Sequence, residues 1–161
     1  DTSMTGVGVW VSTEFRERFG GGRGSLSCHG SGGKVPEAIR SLGDDQGIVH
    51  GFIEAIAPFM DGCRSSVAPL RYGAGVKGKV NMAMSYGLPV VGTPIAVEGM
   101  HVHAGDEVLV ADNADAFATA VVRLYRDASL WNRLSAPGRA NVEKYFSFAP
   151  AHPAVHRLPG R

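Results

Sequence analysis

Residues 67–93 read VAPLRYGAGVKGKVNMAMSYGLPVVGT, and this stretch decides the fold class. Val76, Val80, Ala83 and Met84 fall at i, i+4, i+7 and i+8, the apolar face of a helix over 76–86. Gly87 ends that helix, because a residue without a side chain takes the positive φ that helix termini often need. Upstream, residues 65–70 (SSVAPL) read as a buried strand that runs into a loop. Downstream, residues 89–93 (PVVGT) read as a second buried strand, with proline at its first position, where no ladder hydrogen bond is lost.

The same alternation continues on both sides. Towards the C-terminus, residues 107–111 (EVLVA) form a strand. Asp112 or Asn113 then caps a helix whose Phe117, Val121, Leu124 and Tyr125 share one face. A last helical region spans Ala128 to about Phe146, interrupted near Pro137 and Gly138, with Trp131, Leu134 and Val142 as core positions. Towards the N-terminus, Glu54 to Met60 forms a short helix and residues 47–51 (GIVHG) a strand. Pro36 opens a helix to Leu42, and residues 25–29 (SLSCH) give a short polar strand. Val7, Val11 and Phe15, at four-residue spacing, place a helix over 7–18. Strands and helices in this order imply an α/β domain of Rossmann-like, three-layer architecture, a parallel sheet covered on both faces. Ligands of such sheets bind beyond the carboxyl ends of the strands. The loops after Leu70 and after Thr93 are therefore the places for chemistry.

Composition narrows the classes. The 161 residues carry a formal net charge of +1, which gives no field to attract nucleic acid. No apolar run reaches the roughly 20 residues that cross a bilayer. The 22 glycines are aperiodic and gather at junctions, among them 20–22, 30–33 and 73–78, which excludes collagen-like and repeat architectures. Cys28 and Cys63 lie in strand-like stretches and read as packing residues of a reduced, cytoplasmic protein. His101 and His103 share one face of an extended segment, but two imidazoles without a third ligand make no zinc site. His50 reads as a packed or rim histidine, and no Gly-x-Ser-x-Gly elbow supports a serine nucleophile.

The loop between strand and helix, RYGAGVKGK at 71–79, is the chemical centre. Its glycines free the backbone to approach a ligand. The first amides of the helix have no partner within the helix, and together with the helix dipole they favour an anion. Arg71, Lys77 and Lys79 add positive charge, and an arginine can hold a phosphate with two donors. The residue types specify an oxyanion or phosphate cradle without specifying the phosphate. A P-loop is excluded, because Lys77 and Lys79 precede Gly78 and Val80 where Ser or Thr would be required.

Residues 67–93 resemble the donor-site region of family 4 glycosyltransferases, and the flanking segments 49–63, 95–100 (IAVEGM) and 108–135 resemble the same family in the same order. The resemblance covers roughly residues 35–147. It implies the C-terminal, donor-binding half of a two-domain GT-B enzyme, with residues 1–147 as that domain, its first strand missing, and 148–161 as a tail. It further implies a nucleoside diphosphate sugar as donor and a glycan or lipid-linked acceptor, the latter held by an N-terminal half. Neither a cofactor nor a metal is expected. Peripheral contact with a membrane is compatible with a lipid-linked acceptor. By matching position the donor diphosphate falls to Gly73, Ala74, Gly75 and Val76, with Arg71, Lys77 and Lys79 nearby. The resemblance leaves the catalytic base outside this chain.

Two departures accompany the resemblance. The family often carries two glutamates eight positions apart, and here the matching positions are Ala74 and Met82. The second glutamate normally engages the ribose, whose hydroxyls Met82 cannot receive. Glu98, in the loop after Thr93, is an acidic residue that could contribute to the cleft instead. These substitutions keep open a second reading, a non-catalytic nucleotide-sugar-binding or assembly module of the same fold. A sugar epimerase with two such domains is a third.

Overall fold

The computed structural model describes residues 7–12, 26–30, 47–51 and 55–147. Among these are six strands: β1 (Val7–Ser12), β2 (Leu26–Gly30), β3 (Gly47–Gly51), β4 (Cys63–Ala68), β5 (Val90–Gly92) and β6 (Leu109–Val110). Five helices join them: α1 (Ile56–Asp61), α2 (Gly78–Ser85), α3 (Pro94–Val97), α4 (Ala114–Arg126) and α5 (Ala128–Tyr145).

The strands form one sheet in the order β3-β2-β1-β4-β5-β6. β4, β5 and β6 pair in parallel, as do β2 and β3. β1 runs antiparallel to both of its neighbours, with Val9 opposite Cys28 on one side and Val67 on the other. The helix expected over 7–18 is therefore a strand across Val7–Ser12. A spacing of four fits period 2 as well as period 3.6, and the intervening Val9 completes the alternation of a strand. The helix expected over 36–42 and the tail from 148 onward fall outside the described residues.

Two apolar clusters cover the two faces of the β4–β5–β6 part of the sheet. Consecutive residues of a strand point to opposite faces. Val90 accordingly joins a cluster with Met60, Val80, Ala83, Met84, Met100 and Val108. Its neighbour Val91 joins another with Val67, Val121, Leu124, Leu130 and Leu134. α2 thus packs on one face, and α4 with the start of α5 on the other. Leu124 and Leu134 are fully buried, and truncating either to alanine costs about 2–5 kcal/mol.

The ends of the helices follow their sequence signals. Gly87 has φ +74°, and the Leu88 amide donates to the Ala83 carbonyl at 3.0 Å while the Gly87 amide donates to that of Met84 at 2.9 Å. This pair of bonds is a Schellman motif that satisfies carbonyls the helix leaves open. Asn113 caps α4 by accepting from the Ala116 amide at 2.9 Å, and Asp127 caps α5 by accepting from that of Leu130 at 2.9 Å.

α5 is continuous through Pro137, where an interruption was expected. Pro137 sits on the exposed side of the helix, and its missing amide hydrogen removes one intrahelical bond without ending the helix. Gly138 is on the buried side, where a Cβ would lie 3.2 Å from Met84 Cε and 3.3 Å from the Glu107 carbonyl oxygen. The glycine is there for close approach between α5 and α2, not for a break. The C-terminal helices are also pinned to β4 by polar contacts. Trp131 Nε1 donates to the Arg64 carbonyl at 2.6 Å, and Arg64 Nε donates to that of Tyr125 at 2.9 Å.

Candidate functional site

β4 delivers the chain at Ala68 to a loop, residues 69–77, that leads into α2. β5, parallel to β4, delivers it at Gly92 to Thr93 and α3. Both loops therefore leave the sheet at its carboxyl edge, the side on which open α/β sheets bind ligands.

The two loops are tied to each other. Thr93 Oγ1 donates to the Leu70 carbonyl at 2.6 Å and accepts from the Ala96 amide at 3.3 Å, capping α3. The Ala68 carbonyl accepts from the amides of both Leu70 (2.9 Å) and Thr93 (3.2 Å). Gly92 lets α3 come this close, since a Cβ there would lie 3.1 Å from that of Ala96. Sequence reading ended a strand at Thr93 and gave it no role. Threonine followed by proline was nonetheless an N-cap and N1 signature.

Within the first loop Gly73 and Gly75 have φ of +135° and +73°, values at which a side chain is strained. Arg71, Tyr72, Ala74 and Val76 are exposed around them, with about half of the Tyr72 and Val76 surfaces open (52% and 49%). Lys77 folds back over the loop. Its Nζ donates to the Gly73 carbonyl at 3.3 Å and also to that of Gly75. Lys77 is also the N-cap of α2, where no side chain caps the helix and no acidic residue occupies the first turn. The positive end of the dipole is therefore open to an anion. Lys79, in that first turn, is half-buried, and burial pulls its ammonium below the ordinary lysine range.

The loop after α3 closes one side. Gly99, at φ +73°, lies against the first loop, with Val76 Cγ2 3.9 Å from where its Cβ would be. Glu98, the residue before Gly99, is exposed. The segment is anchored from behind by Asn141 Nδ2, which donates to the Met100 carbonyl at 2.8 Å, and by His101, which stacks on Tyr145 at 4.6 Å. His103 instead lies near Glu107, Nδ1 to Oε2 3.5 Å, so the two histidines engage different neighbours. Among the described residues no group of three His, Cys, Asp or Glu is gathered to hold a metal ion.

Of the residues expected from sequence, Arg71, Gly73, Ala74, Gly75, Val76 and Lys77 lie on the loop that leads into α2, Lys79 lies in its first turn, and Glu98 follows α3. Met82 differs from them. It is partly buried and packs against the cluster that includes Val80 and Met84. Asn81, beside it, has a buried Oδ1 without a hydrogen-bond partner, a feature that sequence alone does not reveal.

A family model for group 1 glycosyl transferases matches residues 17–127, more than half of the chain. The chain belongs to the group 1 glycosyltransferases. Among curated proteins none matches it. Solved structures of GT-B glycosyltransferases share its fold. TarM has a TM-score of 0.64 at 16% identity, over 77% of this chain and 26% of that one. An S. aureus TarM variant in complex with Fondaparinux, alpha-GlcNAc-glycerol and UDP has 0.66 at 16%, over 80% and 27%. The pneumococcal O-GlcNAc transferase GtfA in complex with UDP and GlcNAc has 0.64 at 15%, over 80% and 28%. This group 1 glycosyltransferase chain thus spans about a quarter of the length of each of those structures. No helix among its described residues is long and apolar enough to cross a membrane.

Proposed function

We propose that this chain is the donor-binding domain of a family 4 glycosyltransferase, holding a nucleoside diphosphate sugar for transfer to a glycan or lipid-linked acceptor. The observation that carries this reading is the open N-terminus of α2 behind the Gly73–Gly75 loop, at the carboxyl edge of β4, in a chain of the group 1 family. The loop backbone and α2 amides face the diphosphate. Arg71 and Lys79 supply charge to the leaving group, in place of a metal ion or other cofactor, through donors fixed before the reaction. UDP is the first nucleotide to test, being present in the TarM and GtfA complexes.

In this reading residues 1–147 form the donor half. The acceptor groove and the catalytic base belong to an N-terminal half, because the chain spans only about a quarter of the enzymes it resembles in fold. Transfer takes place in the cytoplasm, with a lipid-linked acceptor reached by peripheral contact with a membrane. Calorimetric titration of the chain with UDP, GDP and ADP and their sugars tests the reading, and saturable heat with one of them is the expected result. Absence of heat at millimolar ligand overturns it. The chain alone is expected to show negligible transferase activity, and robust turnover without a partner would refute the two-half assignment.

Met82 and Ala74 favour a second reading, a non-catalytic module of the same fold. Neither can accept a hydrogen bond from a ribose hydroxyl through its side chain, and Met82 is engaged in packing. Binding of a nucleotide sugar without transfer, even when the N-terminal half is supplied, is the outcome that selects it.

A further inference from the structure

We propose that Lys77 is a positioning residue, its ammonium serving as a resident cation that holds the Gly73–Gly75 loop in shape before a ligand anion arrives. One nitrogen, Lys77 Nζ, reaches two carbonyl oxygens, those of Gly73 and Gly75. Both glycines have positive φ, and together they turn the chain so that the two carbonyls converge on that nitrogen. The stem follows the same path, with Lys77 Cε 3.7 Å from where a Gly73 Cβ would stand. Two converging carbonyls are the ligand set of a monovalent cation, here filled by a side chain of the same loop. Carbonyl dipoles orient the ammonium without cancelling its charge. The positive charge therefore stays at the mouth of α2 while two of its three donors are directed at the backbone. Two of the three ammonium hydrogens are thus committed to the loop, so any anion at the third meets a nitrogen already fixed in place. An ammonium pre-bound in this way organises the exposed Ala74 and its flanking amides before any ligand arrives, which lowers the ordering cost of binding.

Only the nucleotide arm of the test rests on the diphosphate reading of the site. In the 161-residue chain, Lys77→Ala and Lys77→Met are compared with the parent by NMR order parameters of the backbone amides in the absence of ligand. Both variants are expected to lose order at the amides of residues 73–76 while those of residues 81–85 in α2 keep theirs. Ethylammonium chloride is expected to restore order in Lys77→Ala, where the stem has left room. Tetramethylammonium chloride, which has no N–H to donate, is expected not to. UDP affinity is expected to fall roughly tenfold in Lys77→Ala, the scale of one charged hydrogen bond, and to recover in part with ethylammonium. Unchanged order at 73–76 in both variants overturns the proposal, as does equal rescue by the two cations. Should the parent bind no nucleotide while the order and rescue results hold, the diphosphate reading falls and the role of Lys77 stands.

Discussion

The Thr93 hydroxyl donates to the Leu70 carbonyl at 2.6 Å, so one hydrogen bond joins the loop that leaves β5 to the loop that leaves β4. The same oxygen caps α3 through the Ala96 amide. Thr93→Val removes the donor and the cap and leaves the Leu70 carbonyl short of a partner. The loss is about 1–2 kcal/mol in chemical denaturation. Thr93→Ser, which keeps both bonds, is expected to lie within about 0.5 kcal/mol of the parent. If the clasp also sets the shape of the cradle, Thr93→Val weakens UDP in titration and Thr93→Ser does not.

Gly138→Ala tests whether α5 needs glycine for contact. The added methyl meets Met84 Cε at 3.2 Å and the Glu107 carbonyl at 3.3 Å. The methionine end can move, but the backbone carbonyl yields much less. Overpacking of about 1–3 kcal/mol is expected in thermal or chemical unfolding. Met84→Ala destabilises on its own by about 2–5 kcal/mol, and in that background the added cost of Gly138→Ala is expected to shrink without vanishing.

Cys63 predicts an alkaline limit to stability. Burial pushes its thiol from 9.0 up to about 11, so the folded chain holds this proton to higher pH than the unfolded chain does. The stabilising contribution is complete below pH 9 and is lost as pH rises from there through about 11. A denaturation series across this range is expected to show stability falling, with a shallower fall in Cys63→Ala. At neutral pH the Cys63 thiol is expected to react slowly with thiol reagents until the chain is unfolded, measured with Cys28 replaced by serine.

Met82→Glu restores the acidic residue that resemblance places on this helix, but it does so against apolar neighbours. A loss of about 1–3 kcal/mol is expected in the ligand-free chain. If a ribose hydroxyl can reach the new carboxylate, UDP raises the melting temperature of Met82→Glu by more than that of the parent. An equal rise in both variants shows that the side chain stays in the core.

The β4-α2-β5 unit was legible because most local signals agreed, although Val76, expected on the apolar face of the helix, stands before it and is exposed. Val80, Ala83 and Met84 fix the buried face of α2, Gly87 its end, and Val90 and Val91 the two faces of β5. β1 reads as a helix in sequence because Val7 and Val11 stand four residues apart, where the helical and extended periods coincide, and only the intervening Val9 favours the strand. Its antiparallel direction depends on partners distant in sequence, and no local pattern encodes them. Pro137 and Gly138 looked like a break because the usual reading of that pair is conformational. Only the facing Met84 and Glu107 show that Gly138 is there for space. In the candidate site the charged and glycine residues were legible by type. The fold of Lys77 onto its own loop and the packing of Met82 were not, since both depend on side-chain direction.

The central position of β1 makes the continuity of the sheet depend on one strand. β1 alone joins the parallel pair β2–β3 to the parallel trio β4–β5–β6, so displacing it would expose two unpaired edges at once. Exposed strand edges recruit other strands. A chain in which β1 is slow to dock, or is trimmed away, is therefore a chain disposed to exchange strands with its own copies, and its propensity to aggregate would be governed at Val7–Ser12 and not at the donor loop.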